Sequence, residues 1–249
     1  MIQKETQTNK LGFDNLGEIL NSIFEIYKKT ALLSGLSFMI ISFVLVLIGT
    51  IILGAFFDLE TLGETIKTFH PDKLSTTGTL IYIGISVLIN ILISPFIAGI
   101  LKMNDEAFNN QEPQFSSLYY YINHERYVQI ILSVVTLTLF SLGINFGLKQ
   151  ILSDDIGNLV ASIVTYGISI LTFIALPTVV FTKMNFWEAL KLSIQGVSRN
   201  FLLVLVLMII NILLAMVGIF ALCVGIIFTL PIIYTLQYIL FKKIITSES

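Results

Sequence analysis

The sequence predicts an all-α integral membrane protein, with six transmembrane helices in three repeated hairpins, each hairpin preceded by a cytoplasmic in-plane amphipathic helix. Three observations carry that prediction. Only 12% of the 249 residues are charged, while 55% are apolar; a soluble domain has about 25% charged residues. Uncharged runs long enough to cross a bilayer recur along the chain. A short polar-faced pattern recurs in front of two of those runs.

The uncharged runs are Thr30–Phe57, Leu74–Leu101, Tyr127–Leu148, Ile156–Thr182 and Asn200–Phe241. About 20 apolar residues cross a hydrocarbon core of ~30 Å. The first run follows about thirty polar and amphipathic residues and has no signal-peptide pattern, so a retained helix is expected. The last run has 42 residues and would measure ~63 Å as one straight helix. It must reverse, and the expected point is Val217-Gly218, where glycine relaxes the backbone. The six expected spans are 31–57, 79–101, 127–149, 157–181, 200–217 and 220–241, within a single membrane domain.

Lysine and arginine set the expected orientation. One side carries Lys4, Lys10, Lys28, Lys29, Lys102, Arg126, Lys183, Lys191, Arg199, Lys242 and Lys243; the other carries Lys67, Lys73 and Lys149. Both termini are therefore expected in the cytoplasm.

The amphipathic pattern explains where the chain enters lipid. Shifting NLGEILNSIFEIYKK by 170 positions lays Asn15 on Asn185, Glu18 on Glu188, Leu20 on Leu190 and Lys29 on Arg199. Asn followed three residues later by Glu is a capping-box spacing, in which the side chains satisfy free backbone N–H groups reciprocally. Leu16, Ile19, Leu20, Ile23 and Tyr27 share one helical face, as do Phe186, Leu190, Ile194 and Val197. Both stretches read as interfacial helices whose last cation marks the entry to hydrocarbon. FSSLYYYINHERYV, from Phe115, is a shorter counterpart without the box.

Each even-numbered span carries one proline: Pro95, Pro177 and Pro231. Proline removes a backbone hydrogen bond and kinks a helix, and neighbouring helices can satisfy the freed carbonyl. Fixed kinks or hinges of a gated path both fit. The expected repeat units are 13–103, 114–183 and 184–243.

GEILNSIFEIYKK, FWEALKLSIQGVSRNF and LLAMVGIFALCVGIIFTLPIIY resemble the membrane domain of glycerophosphoryl diester phosphodiesterases, a bacterial multi-span family. The resemblance implies a bacterial cytoplasmic membrane and a membrane part that mostly has no assigned activity. Where a phosphodiesterase is present in that family it is a separate soluble barrel after the spans. The chain ends eight residues past Phe241, so a stand-alone membrane domain is expected. Similar stand-alone chains sometimes bear names suggesting a carotenoid oxygenase, whose iron is held by several histidines. This chain has two, His70 and His124.

Sites for chemistry are sparse. Of the ionisable residues only Lys149 touches an expected span, whereas buried proton relays and ion sites need such groups. His124-Glu125 lacks the second histidine of a zinc helix, since Val128 stands there. The single cysteine, Cys223, excludes a disulfide framework. Asp154-Asp155 reads as a solvated turn capping the fourth span. Asn90, Asn145, Asn211 and Gln237 are either a polar lining or interhelical hydrogen bonds. Gly143-x-x-x-Gly147 fits close helix approach, inside the bundle or between copies.

No catalytic, metal or cofactor residue is expected, and a net charge of −2 offers no surface for nucleic acid. The expected function is a scaffold or partner-binding subunit without catalytic activity. The expected partners are membrane lipid and a protein partner or second copy. The alternative is a transporter or channel for a small apolar or amphiphilic solute or lipid. A membrane-embedded enzyme comes third.

Overall fold

A computed structural model describes residues 8–56, 75–152, 154–220 and 224–245. Nine α-helices are present among them: α1 Leu16–Phe56, α2 Thr76–Phe108, α3 Tyr127–Ile151, α4 Asp154–Leu171, α5 Ala175–Phe181, α6 Phe186–Arg199, α7 Phe201–Phe220, α8 Val224–Thr229 and α9 Ile232–Ile244. Two 3-10 segments, Phe13–Asn15 and Phe115–Asn123, complete the set. Six stretches are long and apolar enough to cross a membrane: Phe13–Ile51, Thr76–Phe108, Tyr127–Leu148, Ile156–Phe181, Phe201–Gly218 and Ile227–Ile244. This is a multi-pass helical membrane protein.

The first amphipathic stretch does not form a helix of its own. α1 runs unbroken through 41 residues, so no turn at Lys29 separates an in-plane segment from a span. At this point of α1 the Thr30 hydroxyl donates back to the Ile26 carbonyl at 3.3 Å. In the copy, α6 ends at Arg199 and α7 starts at Phe201. Asn200 leaves the helix with its carboxamide bonded to the Asn9 carbonyl and the Leu11 N–H, at 2.8 and 2.6 Å. The third counterpart is a 3-10 segment rather than an α-helix.

The proline spans differ from one another as well. α2 passes through Pro95 without interruption. The fourth span is broken after Leu171, so that Pro177 lies in the short α5. The sixth is broken between α8 and α9, where Pro231 precedes the first residue of α9. Residues 221–223, at the start of the expected sixth span, lie outside the described residues, as does the loop with Lys67, His70 and Lys73. α4 begins at Asp154; the side chains of Asp154, Asp155 and Lys149 are outside the described set too. Gly218 has no left-handed backbone and stays inside α7. Its role is close approach: a Cβ there would lie 2.1 Å from the Thr229 hydroxyl and 2.9 Å from the Gly225 backbone.

The two described ends of the chain meet. The Asn9 N–H donates to the Ile244 carbonyl at 2.8 Å, and Lys243 pairs with Glu18. The core sits in this half of the bundle, around Ile19, Ile23, Leu101, Val179, Phe186, Val197 and α9. α9 is its centre, with Leu236, Tyr238, Ile239, Leu240 and Phe241 all buried. In the opposite half, Phe43, Ile51, Leu80, Ile163 and Tyr166 are exposed, as suits side chains that meet lipid.

Candidate functional site: an uncharged cleft within the spans

α3 packs against α2 and α4, and α5 against α3 and α9. Between these helices opens a cleft of about 520 Å³. Ser86 and Asn90 come from α2, Thr138 and Ser141 from α3, Ser169 from α4 and Gln237 from α9, with Thr172 between α4 and α5. Val134, Leu137, Leu142, Phe173 and Leu176 supply apolar wall. Tyr82 closes one end by edge contact with Phe146, ring centroids 6.2 Å apart. No Asp, Glu, Lys, Arg or His is among the described lining residues.

Helical backbone consumes some of this polarity and leaves the rest. The Asn90 amide donates to the Ser86 carbonyl at 2.8 Å. Ser169 and Thr172 bond the carbonyls four residues back, both at 2.9 Å. The hydroxyls of Ser86, Thr138 and Ser141 make no hydrogen bond within the described residues, and neither do the side-chain oxygens of Asn90 and Gln237. The cleft therefore presents hydroxyls and amide oxygens in a spanning region that holds little water.

The break beside the cleft is stabilised by a side chain from another helix. Pro177 has no N–H for the Phe173 carbonyl, four residues earlier; the Gln237 amide donates to that carbonyl instead. At Pro95 the same need is met from within the helix. The Ser94 hydroxyl donates to the Ile91 carbonyl freed by Pro95, at 3.1 Å. Beside Pro231, the Tyr27 hydroxyl donates to the Phe228 carbonyl.

A second polar centre ties the end of α2 and the start of α9 to α1. Asn104 is fully buried; its carbonyl oxygen accepts from Thr235 at 2.7 Å and from Thr30 at 3.3 Å. One residue on, Asp105 accepts from the Tyr238 hydroxyl at 2.6 Å and lies 3.8 Å from the Lys242 ammonium. Sequence reading missed this group because the second span was expected to stop at Leu101, whereas α2 continues to Phe108. The available signal was a run of helix-compatible polar residues, Asn104 to Glu106, with no breaker before Asn109.

Geometry places the expected site residues as follows. Asn185 accepts from the Glu188 N–H, and Glu188 accepts from the Asn185 N–H, both at 3.0 Å. At the N-terminal copy Asn15 accepts instead from the Gly12 N–H at 3.0 Å, and Glu18 turns to Lys243. The reciprocal box is absent there, because the 3-10 segment before α1 shifts the first free N–H groups. A Cβ at Gly143 or Gly147 would meet no atom of the described residues within 4 Å, so no close helix approach is seen at either among those residues. His124 is absorbed locally, its Nδ1 accepting from the Arg126 N–H at 3.1 Å. Arg126 itself clamps the Val179 carbonyl, at 3.0 and 2.7 Å, and that of Met184, holding α5 to the start of α3.

No family model matches this chain. Neither a curated protein nor a solved structure matches it. Its reading rests on its own geometry.

Proposed function

We propose that this protein binds a neutral amphiphile in the cleft between α2, α3, α4 and α9 and passes it across or along the membrane. The carrying observation is a cleft whose polar lining is hydroxyl and amide without a single described charge. An ionised headgroup would be desolvated there with no counter-charge, at a cost of several kcal/mol. A hydroxyl or amide head finds donors and acceptors, and the open apolar side accepts its hydrocarbon. The same lining has neither a carboxylate nor an imidazole, which supports binding over turnover.

The test uses proteoliposomes carrying a fluorescent diacylglycerol, with transbilayer movement read by quenching of the outer leaflet. Wild-type protein speeds movement at least tenfold over protein-free vesicles. Thr138→Val with Ser141→Ala, which remove both hydroxyls without adding bulk, lose most of that gain at unchanged thermal stability. Movement no faster than in empty vesicles removes the proposal.

The second reading is a scaffold or partner-binding subunit. Its support is the exposed face of α6, where Trp187 is 67% exposed beside Glu188 and Lys191. A partner recovered from native membranes through α6, without lipid movement, separates it from the first reading. The proposed location is a bacterial cytoplasmic membrane with both ends inside the cell. Kinship with phosphodiesterase membrane domains belongs to the same proposal.

A further inference from the structure

At the end of the bundle where the two described ends of the chain meet, a second polar space opens between the last turns of α2 and the 3-10 segment Phe115–Asn123. It measures about 620 Å³, and Lys102, Glu106, Glu112, Ser116, Tyr119 and Tyr120 belong to its lining. Its floor is fully bonded. Glu106 is 8% exposed. One of its oxygens accepts from the Ser117 hydroxyl at 2.6 Å and meets the Lys102 ammonium at 3.1 Å. The other accepts from the Gln114 N–H at 3.1 Å. Lys102 also stands 4.5 Å from the centre of the Tyr120 ring.

The rim is not bonded. Glu112 has no hydrogen bond or ion pair within the described residues, and Tyr119 is exposed with no ring stacked on it. Lys102, Glu106 and Glu112 together carry one positive and two negative charges, so the space has an excess carboxylate at its mouth. A ligand that completes it brings a cation to Glu112 and the Tyr119 face. Any anion it carries falls beside Lys102, which retains N–H donors.

An apolar groove lies next to this space, between α1 and α2. It measures about 280 Å³, and Ile41, Val44, Leu45, Leu92, Phe96 and Leu118 line it. Leu118 lines the groove, and its chain neighbours Ser117 and Tyr119 line the polar space. The segment comes this close because of Gly99, where a Cβ would lie 2.3 Å from the Leu118 carbonyl oxygen. Phe96 in the groove and Lys102 in the polar space are six residues apart on one helix, ~9 Å along its axis. Phe115, Tyr119 and Tyr120 are exposed on the same segment, the aromatic signature of the headgroup layer.

We propose that the polar space and the groove together hold one zwitterionic phospholipid with a primary ammonium. Its ammonium donates to Glu112, its phosphate sits beside Lys102, and one acyl chain runs along α1 and α2 past Leu118. An anionic headgroup would place a second negative charge before Glu112. A quaternary ammonium has no N–H to give a carboxylate. This site is separate from the uncharged cleft and stands whether or not that cleft moves lipid.

The full chain, purified in mild detergent, is incubated with phosphatidylethanolamine, phosphatidylcholine or phosphatidylglycerol at equal load. Bound lipid is counted by native mass spectrometry. The expected result is one retained phosphatidylethanolamine, with at least fivefold less of either other lipid. Glu112→Gln, a surface change that leaves the floor intact, lowers that retention at least fivefold, and Glu25→Gln leaves it unchanged. Soluble phosphoethanolamine at equal concentration does not displace the lipid. Equal retention of the three lipids, or full retention by Glu112→Gln, overturns the proposal. Displacement by soluble phosphoethanolamine overturns its acyl-chain half.

Discussion

Thr30, Asn104 and Thr235 come from three different helices and share one buried carboxamide, whereas Ser34 and Ser37, one and two turns further along α1, are buried hydroxyls with no partner among the described residues. The two situations predict opposite responses to alanine. Asn104→Ala strands the Thr235 hydroxyl and opens a small void, which costs ~1–2 kcal/mol. Ser37→Ala removes a desolvated group that bonds nothing, so its effect is neutral or stabilising, within about 1 kcal/mol. Thermal unfolding in detergent checks the pair: the Asn104 variant melts earlier than wild type and the Ser37 variant does not. A Ser37 variant that melts earlier than the Asn104 variant would contradict the hydrogen-bond assignment. Neither contact with Asn104 was legible in the sequence. Asparagine beyond the end of an apolar run looks like any other surface asparagine until α2 is seen to continue past it.

Among the elements, glycine separates tight contacts from open surface. A Cβ at Gly99 would lie 2.3 Å from the Leu118 carbonyl oxygen, and backbone cannot rotate away as a side chain can. Gly99→Ala therefore forces α2 and the 3-10 segment apart, at a cost of ~1–3 kcal/mol. Gly143→Ala meets nothing within 4 Å and gains helix propensity of ~1 kcal/mol, so it leaves stability unchanged or raises it. Equal destabilisation by both would reject the packing described for α2. The proline spans carry a similar lesson. Sequence placed a proline in each even-numbered span but not its consequence. Pro95 is carried within a continuous helix, while Pro177 and Pro231 accompany breaks. Whether a freed carbonyl finds Ser94 in its own helix or Gln237 from another depends on which side chains stand nearby. The amphipathic repeat was legible as pattern, and the caps differ because Gly12 in one copy and Asn185 in the other present the first free N–H groups.

At the scale of the whole molecule, the meeting of Asn9 with Ile244 and of Glu18 with Lys243 puts both described ends on one face of the bundle. With Cys223→Ser as background, single cysteines at exposed Lys10 and half-exposed Lys243 are predicted to respond alike to a membrane-impermeant maleimide. The charge asymmetry predicts that neither reacts in intact cells and that both react after permeabilisation. Labelling of only one site in intact cells would contradict the even number of crossings. Hydropathy and charge determined the class of the protein, its six crossings and the polar character of its helix ends, because each of these is a local sum over neighbouring residues. Tertiary structure alone decided that α9 is the central helix, that Asn90 and Gln237 share a cleft, and that Thr235 reaches Asn104 across 131 positions. In lipid every helix looks apolar from outside, so the sequence does not distinguish a face turned to hydrocarbon from one turned to another helix; only the arrangement of neighbours supplies partners for the few polar groups.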